Sequence, residues 1–386
     1  MISGSRFRIL TMGCAFMMGV QMSGVQYVIL DIGDTFSMTQ TESGALISLF
    51  YAANMVSPLL AGPLADRIGK KKITLAVLLL YTAAALLCLS GISKAIVALG
   101  MFAMGMGFGG LETTCQSAMV DEDHKGSGKM ITLFQGLICV GCVIMPMILS
   151  RLLLVENITW RFHFLICGIG FLVLALLTIK TRFPMNVHSG KQTEKAGIAH
   201  ILNRIVILCM LAMCFYMFAE NAVTYFMKSF YTQVLLAPEN AAVSLSLFWA
   251  AMAVSRIVLS RFDRYRKYIL IICMAVSAAL SVLLAVCHSP AAAVVIYAAC
   301  GAAFAPIWPM LLSRGVESFP QRSGAVTSIM VVVSGAGGTV SPVLTGYICD
   351  GIGLRCVYFL NVMMFAAALL LFMILVMYDR KGKAEM

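Results

Sequence analysis

The chain has 386 residues, of which 61% are apolar or aromatic and only 12% charged; soluble proteins run at roughly 45–50% and 25%. So little charge cannot cover a water-facing surface, which argues against a soluble metabolic enzyme. The 28 Lys and Arg against 17 Asp and Glu leave a formal net charge of +11, and in a membrane protein that excess is first a matter of orientation rather than of a nucleic-acid partner.

A bilayer-crossing helix takes about 20 apolar residues. Apolar runs divided by charged or turn residues predict twelve spans, at 8–30, 43–64, 73–91, 95–119, 130–154, 161–180, 204–231, 239–260, 267–288, 290–313, 323–349 and 354–378. Arg6 and Arg8 precede the first span as in a signal peptide. The run is too long for one, however, and has no small-residue cleavage site, so it is expected to be retained. With the N-terminus placed inside and the spans alternating, 23 basic residues fall inside and five outside, namely Lys94, Arg151, Arg161, Lys228 and Arg355. That asymmetry predicts a multi-pass protein of the cell membrane with both termini cytoplasmic. The longest polar stretch, 181–203, holds Pro184, Ser189 and Gly190. It reads as a cytoplasmic linker between an N-terminal six-helix half, 1–180, and a C-terminal half, 204–386.

The halves look duplicated. Ser48-Leu-Phe-Tyr-Ala-Ala53 corresponds to Ser246-Leu-Phe-Trp-Ala-Ala251, and Val56-Ser57 to Val254-Ser255, at one offset of 198. At an offset of 196, Ser127-Gly128 falls on Ser323-Gly324, Gly141 on Gly337, Pro146 on Pro342, and Asp121 on Glu317. Repeated halves of this kind mark transporters with a site near the bilayer midplane.

Residues 62–72 read Gly-Pro-Leu-Ala-Asp-Arg-Ile-Gly-Lys-Lys-Lys, between predicted spans two and three. Gly62, Asp66, Arg67, Gly69, Lys71 and Lys72 fit the cytoplasmic signature of the major facilitator superfamily, which the chain resembles. The resemblance implies an all-α polytopic membrane protein of the major facilitator fold, with 12 transmembrane helices in two pseudo-symmetric six-helix halves. It also implies that this loop gates the conformational change, and that the protein is a monomer. Gly62 and Gly69 are expected to permit close helix approach and a tight turn. The second-half counterpart, Arg256 and Ser260-Arg-Phe-Asp-Arg264, lacks the glycines.

A weaker resemblance is to the fucose–proton symporter family of sugar permeases. It rests on Gly105-Met-Gly-Phe-Gly-Gly-Leu-Glu112 in span four, Glu220 in span seven, and Gly335-Ala-Gly-Gly338 with Pro342 in span eleven. The chain departs from that family in its first span, where Gln26 or Tyr27 stands at the family's Asp, and Asp31 comes later.

A carboxyl group inside a membrane is costly and faces a cavity or a partner. Burial disfavours the charged form of such a group. Glu112 and Glu220 are the two mid-span carboxyls, and both are candidates for proton coupling. A neutral polyol needs hydrogen-bonding amides and an aromatic face. Gln21, Gln26, Gln116 and Gln135 could supply the first, Asn221 and Tyr225 flank Glu220, and Trp249 and Trp308 could supply the second. Trp308 falls opposite Glu112 in the duplication. Trp160 and several Tyr near span ends read as an interfacial belt. Pro58, Pro146, Pro306, Pro309 and Pro342 mark expected kinks.

The 13 Cys, Cys139 and Cys142 included, read as small packing residues. No metal site, cofactor or nucleic-acid partner is expected, and Gly105-x-Gly-x-Gly-Gly110 lacks the strand–turn–helix setting of a dinucleotide loop. The reading is a non-enzymatic secondary carrier working by alternating access, most simply by proton-coupled uptake of a sugar or other small polar solute. Two alternatives stay open. One is proton-coupled efflux of drugs or metabolites, against which Met101 stands where drug antiporters carry an Arg and Met145 precedes Pro146 where they carry Gly-Pro. The other is a non-transporting membrane sensor.

Overall fold

Among the described residues thirteen α-helices carry the chain. The computed structural model describes residues 2–122, 127–184, 202–319 and 323–384. Most of the predicted linker, 185–201, lies outside them, as do Lys125, Lys191, Lys195 and Arg322 of the charge asymmetry. The helices are α1 (Ile2–Thr35), α2 (Gln40–Ile68), α3 (Lys70–Ser90), α4 (Lys94–Glu122), α5 (Ser127–Leu152) and α6 (Arg161–Lys180). Then come α7 (Arg204–Gln233), α8 (Asn240–Leu259), a 3₁₀ turn (Ser260–Tyr265), α9 (Arg266–Val286), α10 (Pro290–Phe304), α11 (Ile307–Val316), α12 (Ser323–Gly351) and α13 (Arg355–Ala384). Asn203 caps α7 by accepting from the Val206 N–H at 2.8 Å. Ser289 caps α10, with Pro290 in the first helical position, where its missing N–H costs nothing.

Twelve helical stretches are long and apolar enough to cross a membrane, with α10 and α11 together forming one of them. The single span predicted at 290–313 is therefore broken, at Ala305–Pro306. Pro306 has no N–H to give to the carbonyl four residues back, which is that of Ala302. The Ser255 hydroxyl donates to that carbonyl instead, at 2.7 Å. A polar side chain thus satisfies backbone that the proline would leave unpaired in lipid. Leu79, Leu172, Leu176, Ile272, Leu283 and Leu370 are exposed, the apolar surface a bilayer requires.

The chain divides into two compact units, Met1–Met38 with Ala45–Lys191, and Thr39–Gly44 with Gln192–Met386. In the first, α1 packs against α5 and α6, and α3 against α4 and α6. In the second, α7 packs against α12 and α13, α9 against α13, and α8 against α10. The first turn of α2 belongs to this second unit, where Asp350 accepts from the Gln40 and Thr41 N–H groups at 2.9 and 2.8 Å.

The duplication read from the sequence reappears as matching contacts inside each unit. Ser57 donates to Met106 O and Ser255 to Ala302 O. A Cβ on Gly105 would overlap the Phe50 carbonyl oxygen, and one on Gly301 would overlap that of Phe248. Phe50 meets Tyr51 edge-on with centroids 5.4 Å apart, and Phe248 meets Trp249 at the same distance. Arg161 reaches Gly91 O and Arg355 reaches Ala285 O, each across 70 residues of sequence.

Two local expectations fail. Residues 62–72 are not a loop: α2 runs through Pro63 to Ile68, Gly69 alone makes the turn at φ 104°, and α3 begins at Lys70. That positive φ requires Gly69, whereas a Cβ on Gly62 would meet only Thr113 Cγ2 at 3.8 Å, so no close approach requires Gly62. Trp160 is no belt residue. It is 3% exposed, and its indole N–H donates to Thr35 Oγ1 at 2.8 Å, which places it in the packing between α6 and α1.

Candidate functional site

Each unit holds one carboxyl group of a central helix among polar side chains. In the first unit, Glu112 stands half-buried on α4. Gln116 is one turn further along the same helix, the spacing at which side chains meet, and donates to Glu112 Oε1 at 3.1 Å. Gln135 reaches the same oxygen from α5 at 2.8 Å. Two of the amides expected to meet a solute are therefore spent on the carboxylate. Tyr81 on α3 is fully buried, stacks on Phe171 at 3.9 Å, and its hydroxyl lies in the field of Glu112. That hydroxyl has no hydrogen-bond partner among the described residues.

Gln21 and Gln26 are buried elsewhere in α1, 1% and 2% exposed. The Gln21 side-chain amide donates to the Met104 sulfur, at 3.9 Å, and its Oε1 is unpartnered among the described residues. Met104 is eight residues before Glu112, a rise of about 12 Å along α4, so Gln21 does not join the Glu112 cluster.

In the second unit Glu220 is half-buried on α7. Tyr216, one turn earlier, donates a short hydrogen bond to Glu220 Oε2. The Arg256 guanidinium of α8 acts electrostatically on both Tyr216 and Glu220. Its Nε also donates to Ala305 O at 3.3 Å, at the α10–α11 break. A carboxylate, a phenol and a guanidinium therefore meet beside interrupted backbone. Asn221 donates to its own helix at Met217 O, at 2.9 Å, and Tyr225 and Trp249 are 2% and 3% exposed. Trp308 is half-buried in the first turn of α11, just past the break.

Sequence reasoning missed Tyr216 and Arg256. Both signals were present: Tyr216 stands four residues before Glu220, and Arg256 falls within the predicted span 239–260, where an ionisable side chain marks function. It also missed Lys70. In the sequence motif Asp66 and Arg67 are exposed, and Lys71 donates to Ile179 O at 2.8 Å. Lys70 instead forms a short, buried ion pair with Asp121 and donates to Ser117 O at 3.0 Å. The duplicate is Arg266 with Glu317, at 2.7 Å. Among the described residues, no three His, Cys, Asp or Glu side chains are grouped to hold a metal, and all thirteen cysteines are free.

A helical membrane protein of twelve spans in duplicated sets, with carboxylates held inside its bundles, has the build of a solute carrier. The model of the Major Facilitator Superfamily matches residues 9–338 and 210–385, and the chain belongs to that family of transporters. It is 24% identical over 372 residues to the inner membrane transport protein YdiN of Escherichia coli, covering 90% of this chain and 84% of that one. It is 26% identical over 184 residues to the multidrug resistance protein MdtL of Shewanella oneidensis, 46% of each chain. Among solved structures, a bacterial homologue of the human lysosomal transporter Spinster superposes with a TM-score of 0.80 at 16% identity, over 97% of both chains. The outward form of FucP, a major facilitator transporter, gives 0.67 at 19%, over 95% of this chain and 98% of that one. At those identities the structures speak for the fold alone.

Proposed function

We propose that the protein takes up a small polar solute together with protons by alternating access, and that Glu112 carries the coupled proton. The observation behind this is the Glu112 cluster: a membrane-embedded carboxyl group given two amide donors on one oxygen. Such a group changes charge by taking one proton, and its neighbours can follow either state by reorienting. Gln116 and Gln135 act as its positioning residues. Gln21, with its unpartnered amide oxygen, is the polar group on α1 best placed to meet a solute. Gln26, Asn221, Tyr225, Trp249 and Trp308 complete the candidate solute contacts, and Glu220 is a second proton site. The sequence motif around Gly69 gates the cycle. Both termini face the cytoplasm, and residues 181–203 link an N-terminal half to a C-terminal half.

A second reading, efflux of drugs or metabolites in exchange for protons, is favoured by the likeness to MdtL over about half the chain. Uptake of labelled sugars and small polar solutes into proteoliposomes, with and without an inward proton gradient, separates the two. Accumulation driven by an inward gradient supports uptake, while accumulation driven only by an outward gradient supports efflux. No flux of any solute in either direction contradicts both.

A further inference from the structure

We propose that Arg256 receives an anionic group of the transported solute, and that this group is a carboxylate which takes the place of the Glu220 carboxylate. The inference rests on the transport reading above and names the solute class for it. A guanidinium in a membrane span is expensive unless it faces a partner or a cavity. Arg256 is held by the Ala305 carbonyl at the α10–α11 break, and its charge acts on the Glu220–Tyr216 pair of α7. The Nε bond to Ala305 fixes the orientation of the fork. Its remaining N–H groups suit the two oxygens of a carboxylate, and its charge already acts on the Glu220 carboxylate.

The break is an independent pointer. Interrupted helices near mid-span build the solute sites of carriers, with half-helix N-termini turned toward anionic groups. Here α11 begins at Ile307, two residues past Ala305, so the positive end of its dipole lies close to Arg256. Trp308 lies in that same first turn.

The exchange balances. A proton adds to a Glu220 carboxylate oxygen and makes the neutral acid, which leaves the positive charge of Arg256 uncompensated in a low-dielectric setting. The solute carboxylate then pairs with Arg256. The cluster holds one positive and one negative charge before and after, so this site moves one proton with one monoanion and no net charge, and the Glu112 proton is the charge that moves. The ionisable groups that act on Glu220 among the described residues are Tyr216 of its own helix and Arg256 of α8. A neutral polyol cannot replace the charge that Glu220 gives up.

The test uses the full-length protein in proteoliposomes with matched solutes: lactate, glycerate, gluconate and glucuronate against propane-1,2-diol, glycerol, sorbitol and glucose. The expected result is accumulation of at least one acid under an inward proton gradient, increased by an inside-negative membrane voltage through the Glu112 proton, with its neutral counterpart excluded. Arg256→Gln should weaken the apparent affinity for that acid roughly 10–100-fold, the range of a lost charge-assisted contact, and Arg256→Lys should restore part of it. Glu220→Gln should still bind the acid, now without dependence on pH, which a merely structural ion pair would not produce. Transport of neutral members alone leaves the carrier reading intact and overturns this inference. So does acid transport by Arg256→Gln at the wild-type affinity. Failure of every acid and every neutral member to move overturns the transport reading for hydroxylated solutes as well.

Discussion

The two duplicated ion pairs should carry very different weights, and Lys70→Ala is the sharpest probe of that difference. The side chains of Lys70 and Asp121 are 8% and 5% exposed, while those of Arg266 and Glu317 are 16% and 50% exposed. Removing one partner of a buried pair strands a charge and costs about 3–5 kcal/mol. Lys70→Ala strands Asp121 in that way, because it removes the ammonium that pairs with it. Removing Glu317 leaves Arg266 partly wetted, and pairs of that kind are worth about 0–1 kcal/mol. At roughly 2 °C per kcal/mol for a large domain, Lys70→Ala should lower the Tm by about 6–10 °C and Glu317→Ala by about 2 °C or less. The thirteen cysteines are free and none is exposed, so a thiol-reactive dye that fluoresces on unfolding reads both values on detergent-purified protein. Lys70→Met with Asp121→Leu should recover most of the loss, because the stranded charge is gone. Equal shifts for Lys70→Ala and Glu317→Ala would refute the reasoning, as would a double variant no better than the single one.

Other substitutions probe the packing. Gly301→Val forces side-chain atoms into the Phe248 carbonyl and should abolish folded protein in a size-exclusion assay. Gly136→Ala, on α5 with nothing within 4 Å of the new Cβ, should raise stability by about 0.5 kcal/mol in the same dye assay. Trp160→Phe keeps the ring packing but loses the bond to Thr35; a cost of about 1 kcal/mol is expected, with little change in transport rate.

The spans and the repeat were legible because both follow from residue order. Twelve apolar runs are a matter of composition, and the Ser48–Ala53 and Ser246–Ala251 match survives as paired contacts at Phe50 and Phe248. Pro306 announced a kink, but not that Ser255 would fill the gap it leaves, since that needs two helices brought together. The candidate sites were legible only as single residues. Glu112 and Glu220 stood out as charge inside apolar runs. What each one touches depends on helix pairing: Gln135 comes to Glu112 from α5 and Arg256 to Tyr216 from α8. Gln116 and Gln135 were read as solute ligands because an amide alone does not reveal which acceptor it faces. Arg256 was counted as a basic residue of the inner side, although it lies inside a span. The motif at residues 62–72 reads as a loop because it stands between two apolar spans and resembles a cytoplasmic signature, yet Gly69 suffices for the turn.

The central claim, that solute movement is coupled to a proton on Glu112, is tested most directly by solute-driven proton movement. Proteoliposomes holding a pH-sensitive dye are given an inward gradient of a transported solute with no initial pH difference. The wild type should acidify the lumen as solute enters. Glu112→Gln should exchange labelled for unlabelled solute at a comparable rate and acidify the lumen less for each solute moved. Acidification by Glu112→Gln equal to that of the wild type would contradict the assignment of the coupled proton to Glu112.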